Sequence, residues 1–427
     1  MTMTANPLQG LATARRNGKP YGITSVCSAH PLVIQAAIRR AIAHRDSVLL
    51  IEATCNQVNQ FGGYTGMTPD LFVAFVKEIA GREGLDASRI IFGGDHLGPN
   101  PWKGEPAAPA MAKAEAMVTA YVWAGFSKIH LDTSMGCAGE PAALDDETIA
   151  ARAARLAKAV EKAARARGGA LPLYIIGTEV PVPGGADHVI SGLKPTEAAA
   201  ARRTIDIHRH IFAREGLNEA FERVIAVVVQ PGVEFGSENV IRYRPEASAP
   251  LTRLLDTERS LVYEAHSTDY QSRAALTALV ANGFPILKVG PGLTFALREA
   301  LYGLDLIASE MVAGYGERSL AIAMEKLMLS VPGHWRSHYH GSEKRLYLQR
   351  HYSYSDRIRY YWTNPVASIA VARLIDALNG SAIPETLMRQ FLPTLPAELG
   401  ATGDPQAVLL AAVDLVLADY DAACRGG

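Results

Sequence analysis

Eight apolar, strand-like runs each end in polar, chemically capable residues, and an amphipathic or Ala-rich stretch long enough for a helix follows each one. The runs are GITSVCS from Gly22, SVLLIEA from Ser47, RIIFGGDH from Arg89, KIHLDTS from Lys128, LYIIGTE from Leu173, RVIAVVVQ from Arg223, LVYEAH from Leu261 and PILKVG from Pro285. Eight β-then-α units predict eight parallel strands closed into a (β/α)8 barrel, with the site at the strands' C-terminal ends. Those ends carry Glu52, Asp95, His96, Asp132, Glu179, Gln230, His266 and Lys288. A reactive residue at nearly every strand end predicts an enzyme.

The barrel is expected from about Tyr21 to about Gly316, entered through a short helix in ANPLQGLATARRNGKP, so that residues 1–316 form one unit. Residues 317–427 are expected to form a mainly helical extension, with helices near Pro365–Asn379, Glu385–Phe391 and Pro405–Ala423. Between barrel and helices lies VPGHWRSHYHGSEKRLYLQRHYSYSDRIRYYW, dense in aromatic residues, Arg and His; its end, near 353–362, is expected to close over the barrel mouth. Lys and Arg number 42 against 43 Asp and Glu, so no net field favours nucleic acid or an anionic membrane. No apolar run is long enough to span a bilayer, and the first residues lack the apolar core of a secretory signal. Four cysteines without a CxxC pair predict a reducing, cytoplasmic setting and no disulfide framework.

GGDHLGPNPW, from Gly93, is the strongest local signal. Its paired glycines remove side-chain bulk at a strand end, where ligand and backbone could then approach closely. Asp95 suits proton transfer and His96 a divalent metal, although a turn-capping Asp and a satisfied, half-buried His would read alike. In YEAHSTDYQ, Glu264 and His266 are two apart and share a face. Ser267 and Thr268 then offer hydroxyls and amides where barrels commonly hold phosphate. Lys288, Gly290 and the GPGLT turn open onto a helix N-terminus that could hold an anion, which favours a sugar phosphate. In IHLDTSM, Asp132 is the better inward candidate of the pair His130 and Asp132. Glu179 stands before the rigid PVPGG loop. Asn56, Gln57, Asn59 and Gln60 could meet a polyhydroxylated ligand, as could the amide of Gln230. Arg357 and Arg359 could grip a phosphate. No P-loop and no strand–GxGxxG–helix unit is present, so neither nucleotide nor nicotinamide is expected.

Together SVCSAHP, IEATCNQVNQFGGYTGMTP, GGDHLGPN, AGFSKIHLD, GTEVPVPGG, VVQPGVEF, YEAHSTDYQ, LKVGPGLTFALREA and SDRIRYYW resemble the Z-subunit family of class II D-tagatose-1,6-bisphosphate aldolases, over about Cys27 to Trp362. The family is similar to metal-dependent class II aldolases, in which an Asp-His pair follows the third strand. That resemblance implies His96 as metal ligand and Asp95 as proton carrier, with His266 as a further ligand. Strand six ends in Gln230 where those aldolases place another His, so Glu179 is expected to complete the metal set. The cation is expected to be divalent, Zn, Mn or Mg. Two functions are implied. One is a sugar-phosphate 4-epimerase converting D-tagatose 6-phosphate into D-fructose 6-phosphate, with Asp95, Glu179 and Asp132 handling protons. The other is a stabilising subunit that associates with a catalytic aldolase subunit. The strand-end residues favour the first, and a homo-oligomer is compatible with both.

Overall fold

The computed structural model describes residues 6–44, 48–177, 190 and 192–425. Eight parallel strands close into a barrel: β1 (Ile23–Cys27), β2 (Leu49–Thr54), β3 (Ile90–Leu97), β4 (Lys128–Leu131), β5 (Leu173–Ile176), β6 (Val224–Val228), β7 (Val262–Ala265) and β8 (Ile286–Val289). Each pairs with its sequence neighbours, and β1 closes on β8 with Ile23 opposite Ile286 and Val26 opposite Val289. The expected barrel is therefore the observed one. A two-stranded antiparallel ribbon, Glu234–Phe235 against Val240–Ile241, stands on the loop after β6.

Successive strand residues point to opposite faces, so inward residues recur every two positions. On β1, β2, β3, β7 and β8 the inward set begins Ile23, Leu50, Ile91, Val262 and Ile286, which pack with Leu173, Ile175, Ala226 and Val228 of β5 and β6 as one apolar cluster. Leu8 and Leu11 join that cluster from the N-terminal turn (Pro7–Gly10) and helix (Leu11–Arg16), closing the barrel floor. The next inward positions are charged: Glu52, Lys128, Glu264 and Lys288, all buried. The positions above them, Asp95, His130 and His266, open the site. Three layers thus rise from grease through ions to reactive groups.

The opposite strand faces pack against the surrounding helices in a second, larger core that also takes in the C-terminal helices. Helices Pro365–Leu378, Glu385–Phe391 and Pro405–Cys424 match the expected spans to within a residue. The aromatic, basic stretch holds a helix that the sequence reading did not foresee, Glu343–Tyr352, whose N-terminus is capped by the Ser342 hydroxyl. The last helix lies against helices Pro31–Ala43, Arg273–Ala281 and Pro291–Met311. Among the described residues no helix is long and apolar enough to cross a membrane, and all four cysteines are free thiols.

Candidate active site

The site is built on a charged floor that a glycine makes room for. In the sheet register Gly93 stands between Glu52 on β2 and Lys128 on β4. A Cβ on Gly93 would lie 2.6 Å from Glu52 Cγ, so the space is taken by a protein side chain and not by ligand, contrary to expectation. Gly94 likewise yields to Leu97 and Tyr121 on the outer face. Across the gap, Lys128 Nζ sits 2.7 Å from both Glu52 and Glu264. Lys288 Nζ sits 2.6 Å from Glu52, 2.9 Å from Asp95 and 3.6 Å from Glu264. Buried charges persist only when paired, and this layer pairs every one of its members. Lys288, expected at a phosphate, is instead held by three carboxylates beneath the mouth.

Asp95 and His96 are sequence neighbours, yet both are buried in the site. The register between β3 and β4 slips between Gly94 and Leu97, and His96 takes a left-handed φ of 49°. That bulge brings both side chains inward where a regular strand would separate them. Ser267, just after β7, has a comparable φ of 52°.

Three imidazoles then converge, with ring centroids 4.8 Å apart for His96 and His266 and 5.1 Å for His130 with each of the other two. His96 Nδ1 lies 2.7 Å from Asp132 Oδ2, whose other oxygen accepts from the Ser134 hydroxyl at 2.7 Å. Asp132 therefore stands behind His96 and orients it, while its partner in the sequence pair, His130, faces the cluster. The expectation that Asp132 is the reacting member of that pair gives way to this arrangement. His130 Nδ1 lies 3.0 Å from Asp95 Oδ1 and accepts the His96 amide at 3.1 Å. His266 Nε2 is 2.9 Å from Glu264.

Electrostatics sets the protonation states. Burial would lift the Asp95 carboxyl, but His96 and Lys288 beside it and its hydrogen bond with His130 hold it well below the usual carboxylate range. Burial pushes His266 down to about 3, so its ring is neutral. Against the same burial, Asp95 and Asp132 raise His96. Burial also opposes the charge on Lys288, yet Asp95 and its other anionic neighbours keep it protonated.

Asp95, His130, Glu264 and His266 each offer a ligand atom within 4.8 Å of the others. His130 Nε2 is buried with no hydrogen-bond partner, an orphan that a cation or ligand would satisfy. Mixed imidazole and carboxylate donors suit a borderline or hard divalent ion, so the residues fit a metal. Of the expected ligands, His266 belongs to this group and His130 joins it; His96 does not, its ring packing against those two while its Nδ1 faces Asp132, and Glu179 falls outside the described residues.

The cavity at the mouth is lined by Asn56, Gln57, Asp95, His96, His266, Ser267 and Lys288 among others, with Arg359 and Tyr360 from the C-terminal extension. Asn56 and Gln57 are thus brought to the site. Gln60 is not: its amide donates to the Lys113 carbonyl at 3.0 Å. Gln230 shapes a turn, its oxygen accepting from the Gly232 and Val233 amides. The Thr268 hydroxyl donates inward to the Lys288 carbonyl at 2.5 Å. The Gly290 amide donates to Asp269. The Arg357 guanidinium donates to the His334 carbonyl and stacks on Tyr360, whereas Arg359 turns to the cavity. Arg359 is held by the Asp356 carbonyl at 3.1 Å and by the Tyr360 hydroxyl at 2.8 Å.

Comparison with known proteins agrees with this architecture. The family described as D-tagatose-1,6-bisphosphate aldolase subunit GatZ/KbaZ-like matches the chain over residues 8–425. The chain is 67% identical over 420 residues to D-tagatose 6-phosphate 4-epimerase of Agrobacterium fabrum (strain C58), covering 98% of this chain and 99% of that one. It also resembles the crystal structure of a probable tagatose 6-phosphate kinase from Sinorhizobium meliloti 1021, with 55% identity and a TM-score of 0.86 over 94% of this chain and 100% of that one.

Proposed function

Because the chain belongs to the D-tagatose-1,6-bisphosphate aldolase subunit GatZ/KbaZ-like family, we propose that it is a ketose-phosphate 4-epimerase, an isomerase that interconverts D-tagatose 6-phosphate and D-fructose 6-phosphate. The observation that carries this reading is an assembled acid–base site, with Asp95 ionised among three imidazoles and Lys288, in a chain so similar to the Agrobacterium epimerase. A subunit that only stabilises a partner has no use for a buried ion layer that holds one carboxylate charged at the mouth.

The chemistry is a retro-aldol step followed by an aldol step. Asp95 takes the proton of the C4 hydroxyl, and the C3–C4 electron pair passes to the ketone fragment as an enediolate, leaving an aldehyde at C4. The aldehyde turns about its bond to C5, C3 attacks its opposite face, and the new C4 oxygen is reprotonated. The second face needs its own acid–base group, for which we retain Glu179. Asp132 holds the His96 ring in place. His130, His266, Asp95 and Glu264 would hold a divalent cation, Zn, Mn or Mg. When bound, it supplies Lewis acidity toward the ketose oxygens. We assign the substrate phosphate to Arg359 with Ser267, and sugar hydroxyls to Asn56 and Gln57. Four free thiols fit a cytoplasmic enzyme.

The test is to incubate the purified protein alone with D-tagatose 6-phosphate and follow the products by carbon NMR, with and without chelator. D-Fructose 6-phosphate should form without nucleotide, nicotinamide or added aldolase, and chelator should stop it. Asp95→Asn keeps the shape but cannot accept the proton, so the rate should fall roughly 10²-fold or more. A protein inert on ketohexose phosphates that raises the activity of an added catalytic aldolase subunit would instead be the stabilising subunit.

A further inference from the structure

The helix Pro291–Met311 begins at the end of β8 and points its first amides toward the mouth cavity, the arrangement in which barrels hold a phosphate. Here those amides are already used. Asp269 Oδ1 accepts from Gly290 N at 2.9 Å and from Gly292 N at 2.7 Å. Asp269 is 3% exposed, and a Cβ on Gly292 would lie 3.1 Å from its oxygen, so the carboxylate fills the cup closely. Asp269 and Arg359 line the same cavity; burial lifts the Asp269 carboxyl above its ordinary value, while the Gly292 and Gly290 amides and the Arg359 guanidinium act against that rise. An internal anion thus occupies the place of an external one.

We infer that Asp269 restricts the site to ketohexose monophosphates, because its carboxylate fills the amide cup that a second phosphate would need. This rests on the epimerase reading and deepens it by naming the residue that sets the phosphate count. A second phosphate would have to displace a buried carboxylate from two charge-assisted hydrogen bonds, or lie beside it as a like charge. Such a loss corresponds to discrimination on the order of 100-fold or more.

The experiment compares kcat/KM for D-tagatose 6-phosphate and D-tagatose 1,6-bisphosphate in the parent, Asp269→Gly and Asp269→Asn. Binding of inorganic phosphate, followed by phosphorus NMR, gives a readout independent of turnover. The parent should favour the monophosphate about 100-fold or more. Asp269→Gly should narrow that ratio at least about 10-fold and bind one more equivalent of inorganic phosphate than the parent, which holds phosphate only at Arg359 and Ser267. Asp269→Asn, whose amide oxygen can accept the same two bonds but carries no charge, should narrow the ratio less than Asp269→Gly does. Equal use of both sugars by the parent would overturn the inference. So would an Asp269→Gly protein that melts like the parent yet binds no more phosphate than the parent does. If glycine prevents folding, Asp269→Ser, too short to reach both amides, serves in its place. Failure of the epimerase reading looks different: the parent turns over neither sugar, and the phosphate titration still decides whether Asp269 closes the cup.

Discussion

Lys128 is the residue on which the barrel's ion layer depends most, and Lys128→Met is the perturbation that measures it. Its ammonium is fully buried and lies 2.7 Å from both Glu52 and Glu264. At an effective dielectric of about 20, each contact is worth about 6 kcal/mol before desolvation is counted. Removing one partner of such a group leaves Glu52 and Glu264 buried with Lys288 as their one remaining cation, a net loss of about 3–5 kcal/mol. At about 2.1 cal/mol/K per residue the unfolding entropy of this chain is on the order of 0.9 kcal/mol/K, so the melting temperature should drop by about 3–6 °C. Scanning calorimetry or circular dichroism reads this directly. Adding Glu264→Gln removes one of the stranded charges and should recover part of the loss, a coupling that a double-mutant cycle isolates. The reasoning is refuted if Lys128→Met melts within about 1 °C of the parent, or if the double variant melts below the single one.

Four further outcomes follow from the same geometry. Asp132→Asn leaves His96 without its anionic partner and should lower kcat by about 10–100-fold with KM little changed; a rate within twofold of the parent would remove Asp132 from the machinery. Arg359→Ala should raise KM for phosphorylated ketoses far more than for unphosphorylated ones, while Arg357→Ala, bonded to His334, should show no such selectivity; steady-state kinetics on both sugars separates them. His130→Ala should lower the metal bound per chain, read by elemental mass spectrometry, and undiminished metal would take His130 out of the cation site. Burial lifts the Glu234 carboxyl to about 7 from an ordinary value of 4.5. The folded state then binds the extra proton, so no cost exists below 4.5 and stability falls as pH rises toward 7, by on the order of 3 kcal/mol. Glu234→Gln should melt like the parent at low pH and above it at neutral pH, and parallel melting curves at both would contradict this.

Much of the architecture was legible because strand residues alternate faces. Glu264 and His266 share the interior for that reason alone, and the C-terminal helices declared themselves through their Pro, Asn and Gly boundaries. What hid from the sequence depended on three-dimensional neighbours. Lys128 opens its strand, where a lysine ordinarily reads as solvent-facing; only Gly93 between it and Glu52 lets it turn inward. His130 could be placed on the same face as Asp132, but its reach toward Asp95 needs the bulge that reorients His96. The GPG turn reads as an empty anion cup until Asp269, some twenty residues earlier, is seen filling it. Arg359 and Arg357 are indistinguishable by spacing, and only the turn at Asp356 decides which faces the cavity.

The final helix does more than cover the barrel wall. The Gly22 amide, at the entry to β1, donates to the carbonyl of Cys424 at 2.7 Å, and Arg40 on the first barrel helix bonds Asp414 and Asp421 of that last helix. The first strand cannot complete its surroundings until the last residues have been synthesised. While the chain is made, β1 and its helix must wait with an exposed apolar flank, through the whole span in which the other strands assemble. Contacts of such sequence separation are slow to form and leave intermediates open to aggregation. Folding of this protein is therefore expected to finish at its beginning.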